Sequence, residues 1–357
     1  MTQRTDLEAL TLTPPAAIPE TPPVPRLPGV RFRPFRDEAD YERLSSLLRE
    51  SNLHDEVPWL PTVSNLRSEM ENRTSLDPRR DVLLAELDDR TIGMSGVERV
   101  VRDGNPIYEM WGCARPDVRR RGLGTALLDW SLARIRQRAA IEDPGIPIVV
   151  QGESEEQEAG HRALLARAGF AAVRHFFLMQ RPTLDDVPDV PLPAGLEIRT
   201  VTEEQRRPIL EAEFEAFKDH WGTREPSEEH FALTLSRAEL DTDLWVVAWD
   251  GDQIAGVVEN WIWADENAEL GVQRGWLERI SVRRPWRRRG LARALTARSL
   301  VRLREAGMTE GMLGVDSENA NGALGLYEGL GFEIHSRSAA YRRTLDTRAD
   351  SSVAARA

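Results

Sequence analysis

Two stretches of the chain nearly repeat each other. RRRGLGTALLDWSLARIR runs from Arg119 to Arg136 and RRRGLARALTARSLVRLR from Arg287 to Arg304, with eleven of eighteen positions identical at an offset of 168 residues. The likeness extends outward. VRFRPFRDEADYERLSSLL after Gly29 matches LEIRTVTEEQRRPILEAEF after Gly195, in each case an alternating strand followed by acidic residues that open a helix. LLARAGF, closing at Phe170, matches LYEGLGF, closing at Phe332. A duplicated unit of this length folds as two similar cores, and 357 residues suit two domains of about 100–200 residues each. The repeat sets the expected boundaries: a proline-rich flexible leader over 1–29, an N-terminal domain over 30–182, a linker over 183–194, a C-terminal domain over 195–345 and a flexible tail over 346–357.

Within each copy the order is strand, one or two helices, strands, the arginine-glycine turn, a helix, a strand, a helix and a closing strand. That is a mixed α/β (α+β) architecture. DLWVVAWDG and QIAGVVENWIW read as a hairpin joined at Asp250 to Asp252. Pro208 inside the first helical segment of the second copy predicts a kink or a late helix start.

Composition narrows the function. No apolar run approaches the roughly 18 residues of a membrane span, and the leader lacks the basic and apolar segments of a signal peptide. The single cysteine, Cys113, allows no intrachain disulfide and points to a cytoplasmic location. The six histidines show no metal-ligand spacing, so no metal is expected. A net charge of −12 argues against a nucleic-acid partner. RRPWRRR at Arg283–Arg289 is the local exception and suggests a concentrated anion site.

A strand ending at Val282, then RRRGLA, then a helix, is suited to holding phosphate. Gly290 and Ala292 let the backbone pass close to a ligand, and the unpaired amides at the helix start favour a diphosphate. Arg287, Arg288, Arg289 and Arg293 add positive charge.

RRRGLA and RRRGLG resemble the pyrophosphate-binding turn, [QR]-x-x-G-x-[GA], of the GNAT superfamily of acyl-CoA-dependent N-acetyltransferases, and SENANGALGLYEGLGF resembles its later helix. The resemblance covers roughly 30–182 and 195–344. Its tandem layout is similar to that of two-domain members such as mycothiol synthase. The resemblance implies two tandem domains, each a twisted mixed sheet flanked by helices and split between its fourth and fifth strands, with acetyl-CoA as co-substrate in the gap. The expected coenzyme contacts are Ile280, Ser281, Val282, Arg287, Arg288, Arg289, Gly290, Leu291, Ala292, Arg293 and Asn319.

Transfer of an acetyl group to an amine needs a base, because a lysine-like amine of pKa about 10.4 is protonated at pH 7. Glu278 on the strand WLERISV fits that role, with strand alternation placing Glu278, Ile280 and Val282 on one face; the alternative is a surface residue paired with Arg279. Backbone amides near Ile280 to Val282 could polarise the carbonyl. Tyr327 matches the family's proton donor to the thiolate; the alternative is a core tyrosine. Asp219, His220 and Trp221 stand where the family builds its acceptor wall, or else pack a helix end.

The first copy differs at the chemistry. Met110 stands opposite Glu278 and Leu165 opposite Tyr327, so the N-terminal domain reads as a degenerate copy. Its turn, Arg119, Arg120, Arg121, Gly122, Leu123, Gly124 and Thr125, is a possible second coenzyme site. The expectation is direct acetyl transfer, in a ternary complex in the C-terminal domain, to a primary amine of a small molecule. Acetylation of an amino-sugar conjugate in the manner of mycothiol synthase, or a non-catalytic acetyl-CoA-binding module, are the alternatives.

Overall fold

The computed structural model describes residues 19–21, 24, 26–57, 59–71, 73–223, 226–237, 239–319 and 322–345. Most of the expected leader and the whole tail over 346–357 lie outside the described residues. The first half runs β1 (Arg31–Pro34), α1 (Glu38–His54), α2 (Val63–Glu71), α3 (Pro78–Asp81), β2 (Val82–Leu87), β3 (Arg90–Arg102) and β4 (Asn105–Ala114). It continues with α4 (Leu123–Glu142), β5 (Ile148–Glu155), α5 (Ala159–Arg167) and β6 (Ala171–Arg181). The second half repeats the order: β7 (Glu197–Arg199), α6 (Glu203–Phe217), α7 (Glu228–Leu235), β8 (Val246–Asp250), β9 (Gln253–Trp261), α8 (Ala264–Leu270) and β10 (Arg274–Val282). It closes with α9 (Leu291–Glu305), β11 (Glu310–Asp316), α10 (Ala323–Glu328) and β12 (Glu333–Leu345).

In each half four strands form an antiparallel meander, and a helix then crosses over to a fifth, parallel strand, the connection a parallel neighbour requires. The closing strands are exchanged. β6 pairs with β11 of the second half, β12 pairs with β5 of the first, and β6 and β12 pair with each other. One sheet of twelve strands results, in the order β1-β2-β3-β4-β5-β12-β6-β11-β10-β9-β8-β7. Swapping the halves leaves that order unchanged, so the duplication is expressed as a pseudo-twofold between β12 and β6.

Strand alternation feeds two helical layers. Leu83 and Ala85 of β2 pack towards α4, while Val82 and Leu84 pack towards α1 and α2. In β8, Val246 and Ala248 meet α9, while Val247 and Trp249 meet α6 and α7. Leu295, Leu300 and Leu303 of α9 are wholly buried, each contributing about 1.5–3 kcal/mol by leaving water.

α6 starts before Pro208, at Glu203, with Thr202 and Gln205 forming a capping box. Neither connecting segment is wholly loose. Leu184 of the linker is buried in the second core, and Val24 and Leu27 of the leader are buried in the first. Among the described residues no helix is long and apolar enough to cross a membrane.

Candidate active site

The arginine turn of the second half is pinned from below. Arg287 donates from Nε to the Val282 carbonyl at 2.9 Å, and from its other nitrogens to Asp219 at 2.9 Å and the Ala216 carbonyl at 2.8 Å. Arg284 also holds Asp219, and these two cations keep its carboxyl far below the usual carboxylate range. Arg287 and Asp219 thus tie the turn to the end of α6. Asp219 lines neither of the two large cavities.

Above this brace the backbone opens. Arg288 and Gly290 both have left-handed φ, +61° and +83°, a conformation an L-residue adopts at a cost of about 1–2 kcal/mol. The alternation turns successive amides to one side, and α9 follows with no side-chain cap, so its first amides point outward. Among the described residues no atom lies within 4 Å of where a Gly290 Cβ would stand. Arg288 and Arg289 are exposed beside it. Arg293 donates to the Gly329 carbonyl at 3.0 Å, linking the turn to the end of α10.

A cavity of about 690 Å³ runs from this turn along β10 and β11. It exists because β10 and β11 pair only from Arg274 to Trp276 and then part. Its walls include Ile280, Ser281 and Val282 of β10, Gly314 to Asp316 of β11, and Asn319, with Gly290 to Arg293 at one end. Gly314, like Gly290, has open space where a Cβ would stand. The cradle of glycine, outward amides and arginine fits a diphosphate-bearing coenzyme.

Glu278 lies at the other end, on a β-bulge. The register of β10 against β9 passes from Leu277 opposite Asn260 to Arg279 opposite Glu259, leaving Glu278 as the extra residue. A bulge breaks strict alternation and re-aims a side chain. Leu277 and Ile280, three apart, consequently both face the core under α9, while Arg279 turns to Glu213 and the rings of Phe214 and Phe217 on α6. The single face expected for Glu278, Ile280 and Val282 is interrupted by this bulge.

Glu278 opens onto the 690 Å³ cavity and onto a second one of about 590 Å³. Its side chain is exposed to the two cavities and enclosed by protein elsewhere, and that enclosure raises its pKa, with Arg237 and Arg279 opposing the rise.

Tyr327 lines the first cavity, is 7 % exposed, and stands 6.0 Å from the Phe332 ring centroid. Burial raises its pKa, so the phenol stays protonated at neutral pH. His220 and Trp221 also line this cavity. His220 is held below its usual pKa by burial and by Arg287. Trp221 packs on Phe176 of β6 with Arg174 and Arg342 against its ring, so it belongs to the seam between halves. The turn between β3 and β4 secures this loop: Gly222 donates to Asp103 at 3.1 Å and Arg102 donates to the Gly222 carbonyl at 2.8 Å.

The first half keeps the turn, its brace and the parted parallel strands, and lacks the bulge and the two side chains that stand at Glu278 and Tyr327. Arg120 and Gly122 repeat the left-handed pair at φ +63° and +98°, and Arg119 is braced by Asp55, Ser51 and the Ala114 carbonyl as Arg287 is by its partners. Thr125 accepts from Arg167 at 3.1 Å, and a Cβ at Gly124 would touch Leu164. β4 pairs with β3 in unbroken register from Asn105 to Ala114, with Met110 opposite Val97 and no bulge. Met110 and Leu165 are buried in the core with Leu123, and Val24 of the leader lies 3.7 Å from where a Gly122 Cβ would stand. Arg121 is exposed.

Sequence reasoning missed the second cavity. It joins Trp59 to Glu69 of the first half with Arg237, Glu239 and Trp263 to Glu266 of the second, residues about 170–200 positions apart that no local pattern connects. Among the described residues no cluster of His, Cys, Asp or Glu could hold a metal ion.

The Acetyltransferase (GNAT) family model matches the chain twice, over 42–170 and 207–332. A mycothiol acetyltransferase of Geodermatophilus obscurus is 28% identical over 322 residues, covering 88% of this chain and 98% of that protein. One from Thermobifida fusca is 31% identical over 261 residues, 65% and 73% of the two chains. Among solved structures, a GCN5-related N-acetyltransferase from Sphaerobacter thermophilus superposes with a TM-score of 0.67 at 25% identity, covering 89% of this chain and 96% of its own. A tandem GNAT protein from the clavulanic acid biosynthesis pathway superposes with a TM-score of 0.62 at 18% identity, covering 88% and 98%. With a repeated arginine-glycine turn, a pair of parallel strands that part after two or three residues in each half, and a family match to both, the chain belongs to the acetyltransferase (GNAT) family and is an acetyl-CoA-dependent N-acetyltransferase of tandem layout.

Proposed function

We propose that the second half transfers an acetyl group from acetyl-CoA directly to a primary amine of a small molecule, both substrates being bound together. The observation that carries this reading is the position of Glu278, which opens onto both cavities at once. When bound, acetyl-CoA supplies the thioester. The amides of the turn and of the start of α9, with Arg288, Arg289 and Arg293 around them, hold its diphosphate, and Asn319 lines the same channel.

Glu278 takes a proton from the ammonium presented from the 590 Å³ cavity, directly or through one water. The neutral nitrogen then forms its bond to the carbonyl carbon as the carbon–sulfur bond breaks, and the second proton that the nitrogen must shed to become an amide is released to solvent. Amides from Ile280 to Val282, on the part of β10 that β11 has left, donate to the carbonyl oxygen. Tyr327 gives its phenolic proton to the departing sulfur and is reprotonated from solvent. Arg287 and Asp219 act as the brace beneath the turn, and the first half keeps its fold without either proton carrier.

The second reading for the acceptor is desacetylated mycothiol, favoured by the relatives named mycothiol acetyltransferase that match over nearly their full length. Steady-state rates of Glu278→Gln against pH test the mechanism. A variant as fast as the unsubstituted enzyme at pH 7 removes Glu278 from proton transfer.

A further inference from the structure

The second cavity is strongly acidic. Its described lining includes five carboxylates, Glu69, Glu239, Asp265, Glu266 and Glu278, against one cation, Arg237. Arg237 lies 5.7 Å from the Trp261 ring centroid. Once Glu278 has taken its proton, the amine beside it is neutral. Four carboxylates then remain across the cavity with no cation of the acceptor opposite them, unless the acceptor brings a second one.

Glu266 is the buried carboxylate of this lining. It is 6 % exposed, on α8, facing the cavity. One carboxylate oxygen accepts from the Leu60 amide at 3.3 Å, a contact that joins the halves across 206 positions. The other oxygen makes no well-formed hydrogen bond among the described residues, although the Trp276 side chain stands close enough to act on the carboxylate. A buried carboxylate with an unmet oxygen is costly, and the cost is removed by a charged donor arriving from the cavity. Burial raises the pKa of Glu266 against the opposing pull of the Leu60 amide, Arg274 and Trp276, and Glu278 adds a smaller push in the same direction as burial. Aromatic faces line the same space: Trp263 stacks on Trp261 with centroids 5.5 Å apart, and Trp59, 44% exposed, stands in the wall. Indole faces favour cations and the apolar faces of sugar rings.

We propose that this cavity takes an acceptor bearing at least two ammonium groups, one presented to Glu278 for acetylation and a second held by Glu266 with Asp265 and Glu69 around it. The inference rests on the acetyl-transfer reading for the first ammonium and on the geometry of Glu266 for the second. The first half is then part of the acceptor site, because it supplies Trp59, the Leu60 amide and Glu69.

The test uses the full chain and matched amines: 1,5-diaminopentane against pentylamine, with spermidine and neamine to separate linear from ring-borne polyamines. With acetyl-CoA saturating, kcat/KM for the diamine should exceed that for the monoamine by about 10- to 100-fold, the range for one charge-assisted contact. Glu266→Gln should collapse that ratio at least about tenfold. Asp265→Asn, at an exposed position, should lower it in the same direction and guards against misfolding of the buried variant. Calorimetry without coenzyme separates binding from transfer. Diamine binding that Glu266→Gln abolishes supports the inference even if no amine is acetylated, in which case the transfer reading alone fails. Equal kcat/KM for diamine and monoamine, or a ratio unchanged in both variants, overturns the inference. Acetylation of desacetylated mycothiol together with equal binding of diamine and monoamine overturns it too, while transfer stands.

Discussion

Gly290→Val and Gly122→Val form a matched pair that separates coenzyme contact from backbone strain. Both glycines have left-handed φ, +83° and +98°, at the N-cap of the helix that follows the turn. Each substitution therefore places a β-branched residue where L-residues lose about 1–2 kcal/mol. For a cooperative unit of this size, Tm should fall by roughly 2–4 °C per kcal/mol in both. The surroundings differ. At Gly290 a Cβ meets nothing among the described residues within 4 Å, so the new side chain projects into the 690 Å³ cavity and over the outward amides. Losing two charge-assisted contacts of about 1.5–3 kcal/mol each weakens acetyl-CoA binding about 10²- to 10⁴-fold. At Gly122 the side chain meets Val24, which adds to the destabilisation without touching the second half's site. Calorimetric titration of acetyl-CoA, turnover per folded molecule and thermal melts of both variants measure all three quantities. An acetyl-CoA Kd within threefold of the unsubstituted value in Gly290→Val refutes the reasoning, as does loss of turnover confined to Gly122→Val.

Glu278→Gln should slow turnover about 10²- to 10⁴-fold at pH 7 and recover partly at high pH, where the amine deprotonates unaided. The raised pKa of Glu278 means that its ionisation weakens the fold as pH climbs from the ordinary carboxylate value through the raised one. The variant should match the unsubstituted enzyme in melting temperature below that window and equal or exceed it above, as pH-dependent melts will show. Tyr327→Phe should lower kcat about 10²-fold with the acetyl-CoA Kd little changed, because a thiolate of conjugate-acid pKa about 8.5 is already a fair leaving group; an unchanged kcat in single-turnover experiments returns Tyr327 to the core. Asp219→Asn should raise KM for acetyl-CoA by loosening Arg284 and Arg287, leaving the amine KM as it was; the opposite split would place Asp219 in the acceptor wall.

The parts of the site that were legible in the sequence are those set by residue type at short range. Gly290 announces an open turn because the glycine and the helix after it are contiguous, whereas the left-handed φ of Arg288 has no mark in its residue type. Arg287 was legible as a charge but not as a brace, since its partners, Asp219 and the Ala216 carbonyl, arrive from the end of α6. The place of Glu278 on a strand four residues before Val282 could be read from the sequence, while its bulge could not, because a bulge belongs to the pairing of β9 with β10. GFEIHSRSAAYRRT reads as a strand whichever sheet it joins, so its passage into the first half left no local trace. The contact between Leu60 and Glu266, 206 positions apart, left no local trace either.

The exchanged strands also order events during synthesis. β5 ends at Glu155, and the strand that covers its edge, β12, ends at Leu345. At about 5–20 residues per second the ribosome needs roughly 10–40 s to make the chain between them. For that interval the first half waits with an open edge, the kind of surface on which neighbouring chains pair. Native sheet completion is therefore a late step, tied to the release of the C-terminal strand, and protease digestion of chains stalled before β12 would reveal the first half still waiting.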